Sequence, residues 1–91
     1  MFGLGRINYI QGRYEIAEKW LIKAYETKRD FTYRVWLGFT QIQLYLICTA
    51  DNPKKPRFLQ NAIANLDRCR LEPRVGLYAN FGLIYLSIES R

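Results

Sequence analysis

The stretch LGRINYIQGRYEIAEKWLIKA, residues 4–24, contains the pattern that decides the fold. It places a large apolar residue directly before a glycine, Leu4-Gly5, inside an apolar segment that ends at Gly12. Steps of four and three residues put side chains on one face of a helix, and glycine readily takes the left-handed conformation just past a helix end. The stretch therefore predicts two helices joined by a tight turn. At intervals of 12, 16 and 19 residues from Gly5, the second helix carries Ala17, Leu21 and Ala24.

The same pattern occurs again further along the chain. Leu37-Gly38 and Phe81-Gly82 repeat the pair of an apolar residue and a glycine, and Gly38 follows Gly5 by 33 residues. A glycine inside a helix is about 1 kcal/mol less favourable than alanine, so three such placements need a reason in packing. We expect a neighbouring helix to approach each glycine closely, where a larger side chain would block it. The four- and three-residue steps recur at Ala62, Leu66 and Cys69.

Apolar periodicity and turn residues predict five helices, without the alternation typical of strands, so the predicted fold class is all-α. Asp30 is the predicted N-cap of the third helix. The segment TADNPKKP, residues 49–56, is a predicted loop between the third and fourth helices. The predicted helices cover residues 1–11, 14–28, 31–47, 57–70 and 75–88.

On these residues the chain resembles the tetratricopeptide repeat family. The first helix of that repeat carries the pattern W-x2-L-G-x2-Y, and the second carries alanines around a large apolar residue. Tyr78-x-x-Phe81-Gly82-x-x-Tyr85 matches the first-helix pattern, and Pro73 stands near the position of the family's closing proline. The spacing from Gly5 to the alanine-rich face of the second helix is also that of the family.

The second repeat departs from the family pattern. Gly38 and Gly82 are 44 residues apart, about ten more than the usual 34, and the excess falls between the two helices of the repeat. The resemblance implies a single domain over residues 1–91, made of antiparallel helical hairpins stacked as a short right-handed superhelical solenoid of about five helices. Its units would be repeat one at 1–29, repeat two at 30–73 with the inserted loop 49–56, and the first helix of a third repeat at 75–88. Milder departures are polar or charged residues in place of an aromatic or a proline: Asn8, Gln41 and Arg29.

The composition limits the classes of function. The chain has 14 Lys and Arg against 8 Asp and Glu, no His, and a net charge of +6. It shows no glycine-rich phosphate loop, no nucleophile with a visible base and no metal-ligand cluster, so we expect no enzyme activity and no cofactor. Cys48 and Cys69 lack zinc-site spacing and are expected to be free thiols in a reduced intracellular setting such as the cytoplasm. No secretory signal or membrane span is predicted.

The resemblance implies a non-catalytic scaffold that binds other proteins. In such scaffolds the first helix of each repeat lines a concave groove that takes an extended peptide or a partner helix. The alternative for each aromatic residue is packing against the adjacent repeat. The family's charged clamp for a peptide carboxylate is not expected, because Phe2, Trp36 and Gly76 occupy several of its places. The residues that the resemblance assigns to the groove are Phe2, Arg6, Tyr9, Phe39, Ile42, Gln43, Leu83 and Ser87.

A basic loop suggests a second class of partner. The segment NPKKPR, residues 52–57, carries Lys54, Lys55 and Arg57. These cations could contact RNA or another acidic polymer, or they could belong to a solvated insertion.

Both ends of the predicted solenoid are apolar. The first helix lacks an opening turn, and the fifth is apolar over most of its length, with Leu77, Phe81, Leu83, Ile84, Tyr85, Leu86 and Ile88. Repeat proteins need about three units and polar caps to be stable and soluble. We therefore expect the chain to be a section of a longer solenoid, or to have its ends covered by partner subunits or by self-association.

Overall fold

This computed structural model describes residues 1–89 of the chain, which form five α-helices joined by turns and loops. No strand occurs among these residues, and the all-α prediction is confirmed. The helices are α1 (Phe2–Ile10), α2 (Tyr14–Thr27), α3 (Phe31–Ile47), α4 (Lys55–Cys69) and α5 (Gly76–Glu89).

Two predicted helix boundaries rest on clear local chemistry. Gly12 has a φ of +80°, a left-handed conformation that turns the chain from α1 into α2 at little steric expense. Asp30 caps α3, because its Oδ1 accepts a hydrogen bond from the backbone N–H of Thr32 at 2.8 Å. That hydrogen bond holds the pKa of Asp30 below its ordinary value. Both predictions are confirmed.

The start of α4 differs from the prediction. The fourth helix is predicted over 57–70 with Pro56 suited to its first turn. In the structure α4 begins two residues earlier, at Lys55, and Pro56 lies in its first turn as expected. Proline is well tolerated there because the first N–H groups of a helix have no partner within it. Just before the helix, Oδ1 of Asn52 accepts a hydrogen bond from the backbone N–H of Lys54 at 2.9 Å. The inserted loop is therefore two residues shorter than predicted, while α3 has the predicted bounds.

The helices alternate between two layers around a central α3. Each helix packs on the next one along the chain, and α3 also contacts α1 and α5. Within residues 1–89, no Cα atom of α2 lies within 8 Å of one of α4. The odd-numbered helices thus form one layer and α2 and α4 the other, with α3 touching every other helix.

The three helix glycines lie directly against buried leucines. A Cβ added at Gly5 would lie 2.7 Å from Cγ of Leu21. A Cβ at either Gly38 or Gly82 would lie 2.7 Å from side-chain carbons of Leu66. Both leucines have 0% exposure, so the predicted close approach of a neighbouring helix is confirmed at all three glycines.

The small residues around these leucines are equally buried. Ala17 and Ala24 flank Leu21, and Ala62 and Cys69 flank Leu66, at exposures of 0–3%. Cys69 is a free thiol whose pKa burial raises to about 11. It therefore behaves as the small buried hydrophobe that the repeat pattern predicts.

Gly38→Ala should lower the free energy of unfolding by about 1–3 kcal/mol, the range typical of overpacking. Leu66 cannot move aside easily, because it fills the space between Gly38 and Gly82. The matched control is Gly3→Ala in the same repeat layer, where no atom lies within 4 Å of the added Cβ. Gly3→Ala should leave stability unchanged or raise it slightly. Urea denaturation of both variants measures the difference, and equal effects would contradict the packing argument.

Candidate functional site

Aromatic side chains fill the contact between α1 and α3. Phe2 stacks on Tyr33 with ring centroids 4.4 Å apart. Tyr9 meets the ring of Trp36 edge to face at 5.4 Å. Burial raises the pKa of the Tyr9 hydroxyl, and the neighbouring side chain of Gln43 partly opposes that rise. These rings hold the two helices together, as aromatic pairs at such distances do.

Arg6 lies over this aromatic cluster. Its guanidinium carbon is 5.6 Å from the ring centroid of Trp36 and 5.7 Å from that of Phe2. Arg6 is itself exposed to solvent. A guanidinium held over aromatic rings keeps its charge in a defined place at the surface.

An open groove runs across the layer of odd-numbered helices beside this cluster. Its volume is about 580 Å³. The walls come from α1, α3, the residue before α5, and the first turn of α5. The lining residues are Tyr9, Thr32, Val35, Trp36, Phe39, Val75 and Tyr78. Most of this lining is apolar, so the groove favours an apolar or aromatic guest.

The predicted groove residues fall into three sets. Tyr9 and Phe39 line the groove, while Phe2, Arg6 and Gln43 lie in or beside the aromatic cluster. A second set belongs to the core. Ile42 is 3% exposed, Leu83 packs against the same buried cluster, and neither lines the groove. Ser87 is exposed on α5 and also lies outside the groove.

Sequence reasoning missed two lining residues of α3, Thr32 and Val35, which share one face of the helix with Trp36 and Phe39. Thr32, Val35, Trp36 and Phe39 follow each other at steps of three, one and three residues, which places them on one stripe of the helix. This stripe was visible in the sequence. The sequence does not show that Tyr78 lines the groove, because its position depends on how α5 packs beside α3.

One of the three cations of the basic loop makes contacts within the chain. Lys55 donates from Nζ to the carbonyl oxygen of Cys48 at 2.9 Å, and its Nζ lies 4.7 Å from the centroid of the Tyr45 ring. It therefore ties the start of α4 to the end of α3. Lys54 and Arg57 are exposed and share a surface cleft of about 310 Å³ with three charged residues of α2, Glu15, Glu18 and Lys19.

A hydrogen-bond network joins α2, α3 and α4 on the far side of α3. Gln41 donates from Nε2 to Oε2 of Glu18 at 3.1 Å and accepts at Oε1 from Nδ2 of Asn65 at 2.6 Å. Arg34 donates from Nε to Oδ1 of Asn65 at 3.1 Å and from Nη1 to the hydroxyl of Tyr25 at 3.0 Å. Gln41 is only 3% exposed, so this pairing avoids the penalty of an unsatisfied buried amide.

The two polar departures from the repeat pattern are therefore both satisfied. Gln41 is held by this network, and Asn8 donates from Nδ2 to the carbonyl oxygen of Leu4 at 2.8 Å. Within residues 1–89 no buried side-chain nitrogen or oxygen lacks a hydrogen-bond partner. The polar residues in place of aromatics are thus compatible with a packed helix pair.

Residues 1–89 contain no group of three or more His, Cys, Asp or Glu side chains placed to hold a metal ion. None of the helices formed by these residues has the length and apolar character needed to cross a membrane. Comparison with protein-family models, with curated proteins and with solved structures finds no match for the chain.

Lys55→Ala should lower the free energy of unfolding by about 1 kcal/mol, because it removes a charged hydrogen bond and a cation–π contact. Lys54→Ala is the matched control, since it removes the same charge from an exposed neighbour, and its effect should stay within about 0.5 kcal/mol. Chemical denaturation of both variants measures the difference. Equal losses would show that Lys55 does not anchor the loop.

Proposed function

We propose that the chain is a non-catalytic scaffold for protein–protein interaction of the tetratricopeptide type. In this proposal the helices form hairpins stacked as a short right-handed solenoid that is a section or subunit of a larger assembly. The recurrence of one packing unit supports it, because Leu21 on Gly5 and Leu66 on Gly38 are equivalent contacts in successive hairpins. The alternation of α1, α3 and α5 with α2 and α4 in two layers also agrees with such a stack.

The groove beside α3 is the observation that carries the proposal. It is bounded by the first helix of each proposed repeat, which is where stacked hairpins present a concave surface. An opening of about 580 Å³ is large enough for a few side chains of an extended peptide or for one face of a helix. The function that this geometry supports best is therefore the binding of a protein segment.

The lining predicts the chemistry of that segment. Trp36, Phe39 and Tyr78 offer apolar ring surface, so the partner should insert an aliphatic or aromatic side chain. Arg6 stands over Trp36 at the edge of the lining and would favour an acidic residue close to that anchor. Apolar contacts would supply most of the binding affinity, and the charge of Arg6 would favour apolar segments that carry an acidic residue.

Contact with RNA or another acidic polymer has weaker support. Of the three cations in the basic loop, Lys55 donates a hydrogen bond to the carbonyl oxygen of Cys48 and lies over the ring of Tyr45. The other two share their cleft with Lys19 and with Glu15 and Glu18, so two carboxylates interrupt its positive charge. Peptide binding therefore remains the preferred proposal.

Selection of peptides from a random library on the intact chain tests the proposal. Selected peptides should be rich in large apolar residues with an acidic neighbour, and their binding should change the fluorescence of Trp36 in a Trp20→Phe background. Thr32→Arg should weaken their affinity at least tenfold, equivalent to about 1.4 kcal/mol. Thr32 lines the groove, and a long charged side chain there would fill it.

The matched control is Thr27→Arg. Thr27 is exposed at the end of α2, outside the groove lining, and the substitution adds the same charge. It should leave the affinity unchanged. The proposal fails if no peptide binds, or if both variants weaken binding equally.

A further inference from the structure

The exposed face of α5 carries a continuous seam of large apolar side chains. Leu77, Phe81, Ile84 and Ile88 are 59–66% exposed, and Tyr78 and Tyr85 flank them at 57% and 43%. The opposite face of the same helix is buried against α3 and α4 through Ala79, Gly82 and Leu86. A helix that is apolar on both faces normally has both faces covered.

The spacing of the seam matches helix-to-helix pairing. Leu77, Phe81, Ile84 and Ile88 are separated by four, three and four residues, which is the a/d repeat of a coiled coil. The intervals read the same from either end of the helix. In an antiparallel pair of α5 helices, Leu77 would therefore meet Ile88 of the other copy, and Phe81 would meet Ile84.

The charge distribution also favours a second copy of the chain on this face. Two molecules of net charge +6 repel each other wherever their basic residues meet. Between Gly76 and Glu89, α5 contains no Lys or Arg, and its single charged residue is Glu89. Between Gly76 and Glu89, two such faces would therefore bring no cations together.

The area of the seam fits the same partner. Six large side chains at these exposures form a patch on the order of a few hundred Å², the size at which exposed apolar patches mark interaction sites. The exposed apolar residues of α1 do not form a comparable seam. Met1, Leu4, Ile7 and Ile10 follow at steps of three, and each such step rotates the position by roughly 60° around the helix.

From these observations we propose that the chain forms a dimer through α5, paired antiparallel with α5 of a second copy across a two-fold axis. The interface is isologous, because the same seam faces itself. It uses a surface other than the peptide groove and does not depend on the proposed function, although Tyr78 borders both.

Sedimentation equilibrium of the full chain tests the proposal. The mass should be about twice the 10.8 kDa of one copy, and Phe81→Lys should raise the dissociation constant at least tenfold. Ile10→Lys is the matched control, since it adds the same charge to a 72% exposed apolar residue of α1. It should leave the dimer intact. Circular dichroism confirms that each variant keeps its helix content.

Cross-linking tests the orientation and stays informative even if Phe81→Lys proves unstable. In a Cys48→Ser, Cys69→Ala background, mixing the single variants Phe81→Cys and Ile84→Cys should give a disulfide between the two variants on oxidation. Neither variant alone should cross-link efficiently, because equal positions face each other only in a parallel pair.

Three results would overturn the proposal. If the wild-type chain stays monomeric at about 100 μM, a second copy is not the occupant of the seam. Loss of the dimer in Ile10→Lys but not in Phe81→Lys would assign the contact to α1. Efficient cross-linking of a single variant with itself would show parallel pairing.

Discussion

The contact between helix glycines and buried leucines is the constraint on which the rest of the structure depends. Leu66 fills the space left by the missing side chains of Gly38 and Gly82, so one side chain sets the distance of α4 from both α3 and α5. A Cβ at Gly82 would also lie 3.1 Å from the ring of Phe39. Since Phe39 lines the groove, the close approach of α5 at this glycine also determines how wide the groove is. Core packing and the candidate binding surface therefore share one local geometry.

The part of the fold that could be predicted from the sequence is the part that local spacing controls. The intervals around Leu21 and Leu66 locate the buried faces of α2 and α4, because helical periodicity acts within a few turns. Pro56 lies in the first turn of α4 as predicted. The start of the helix was placed two residues late, because the hydrogen bond from Lys54 to Asn52 that precedes it depends on the backbone conformation of the loop. The network around Gln41 could not be predicted, since it requires three helices to meet at one residue.

The candidate site was predicted only in part for a related reason. The family resemblance assigned groove positions by alignment and placed both Phe39 and Ile42 there. Ile42, three residues further along α3, is only 3% exposed because α4 and α5 cover it, so it does not line the groove. The groove follows the stripe from Thr32 to Phe39 instead, and its far wall is Tyr78, whose position depends on tertiary packing.

The position of Tyr78 links the two surfaces of α5. Its ring lines the groove on one side and borders the exposed seam on the other. A peptide bound in the groove would fix the position of this ring and so change the α5 surface that a second chain contacts. A second chain bound to α5 would in turn change the side of the groove that Tyr78 forms. Such coupling is reciprocal by thermodynamic necessity, so a preference of the guest for paired chains would equal the preference of paired chains for the guest. One tyrosine would then make occupancy of the groove dependent on the concentration of the protein itself.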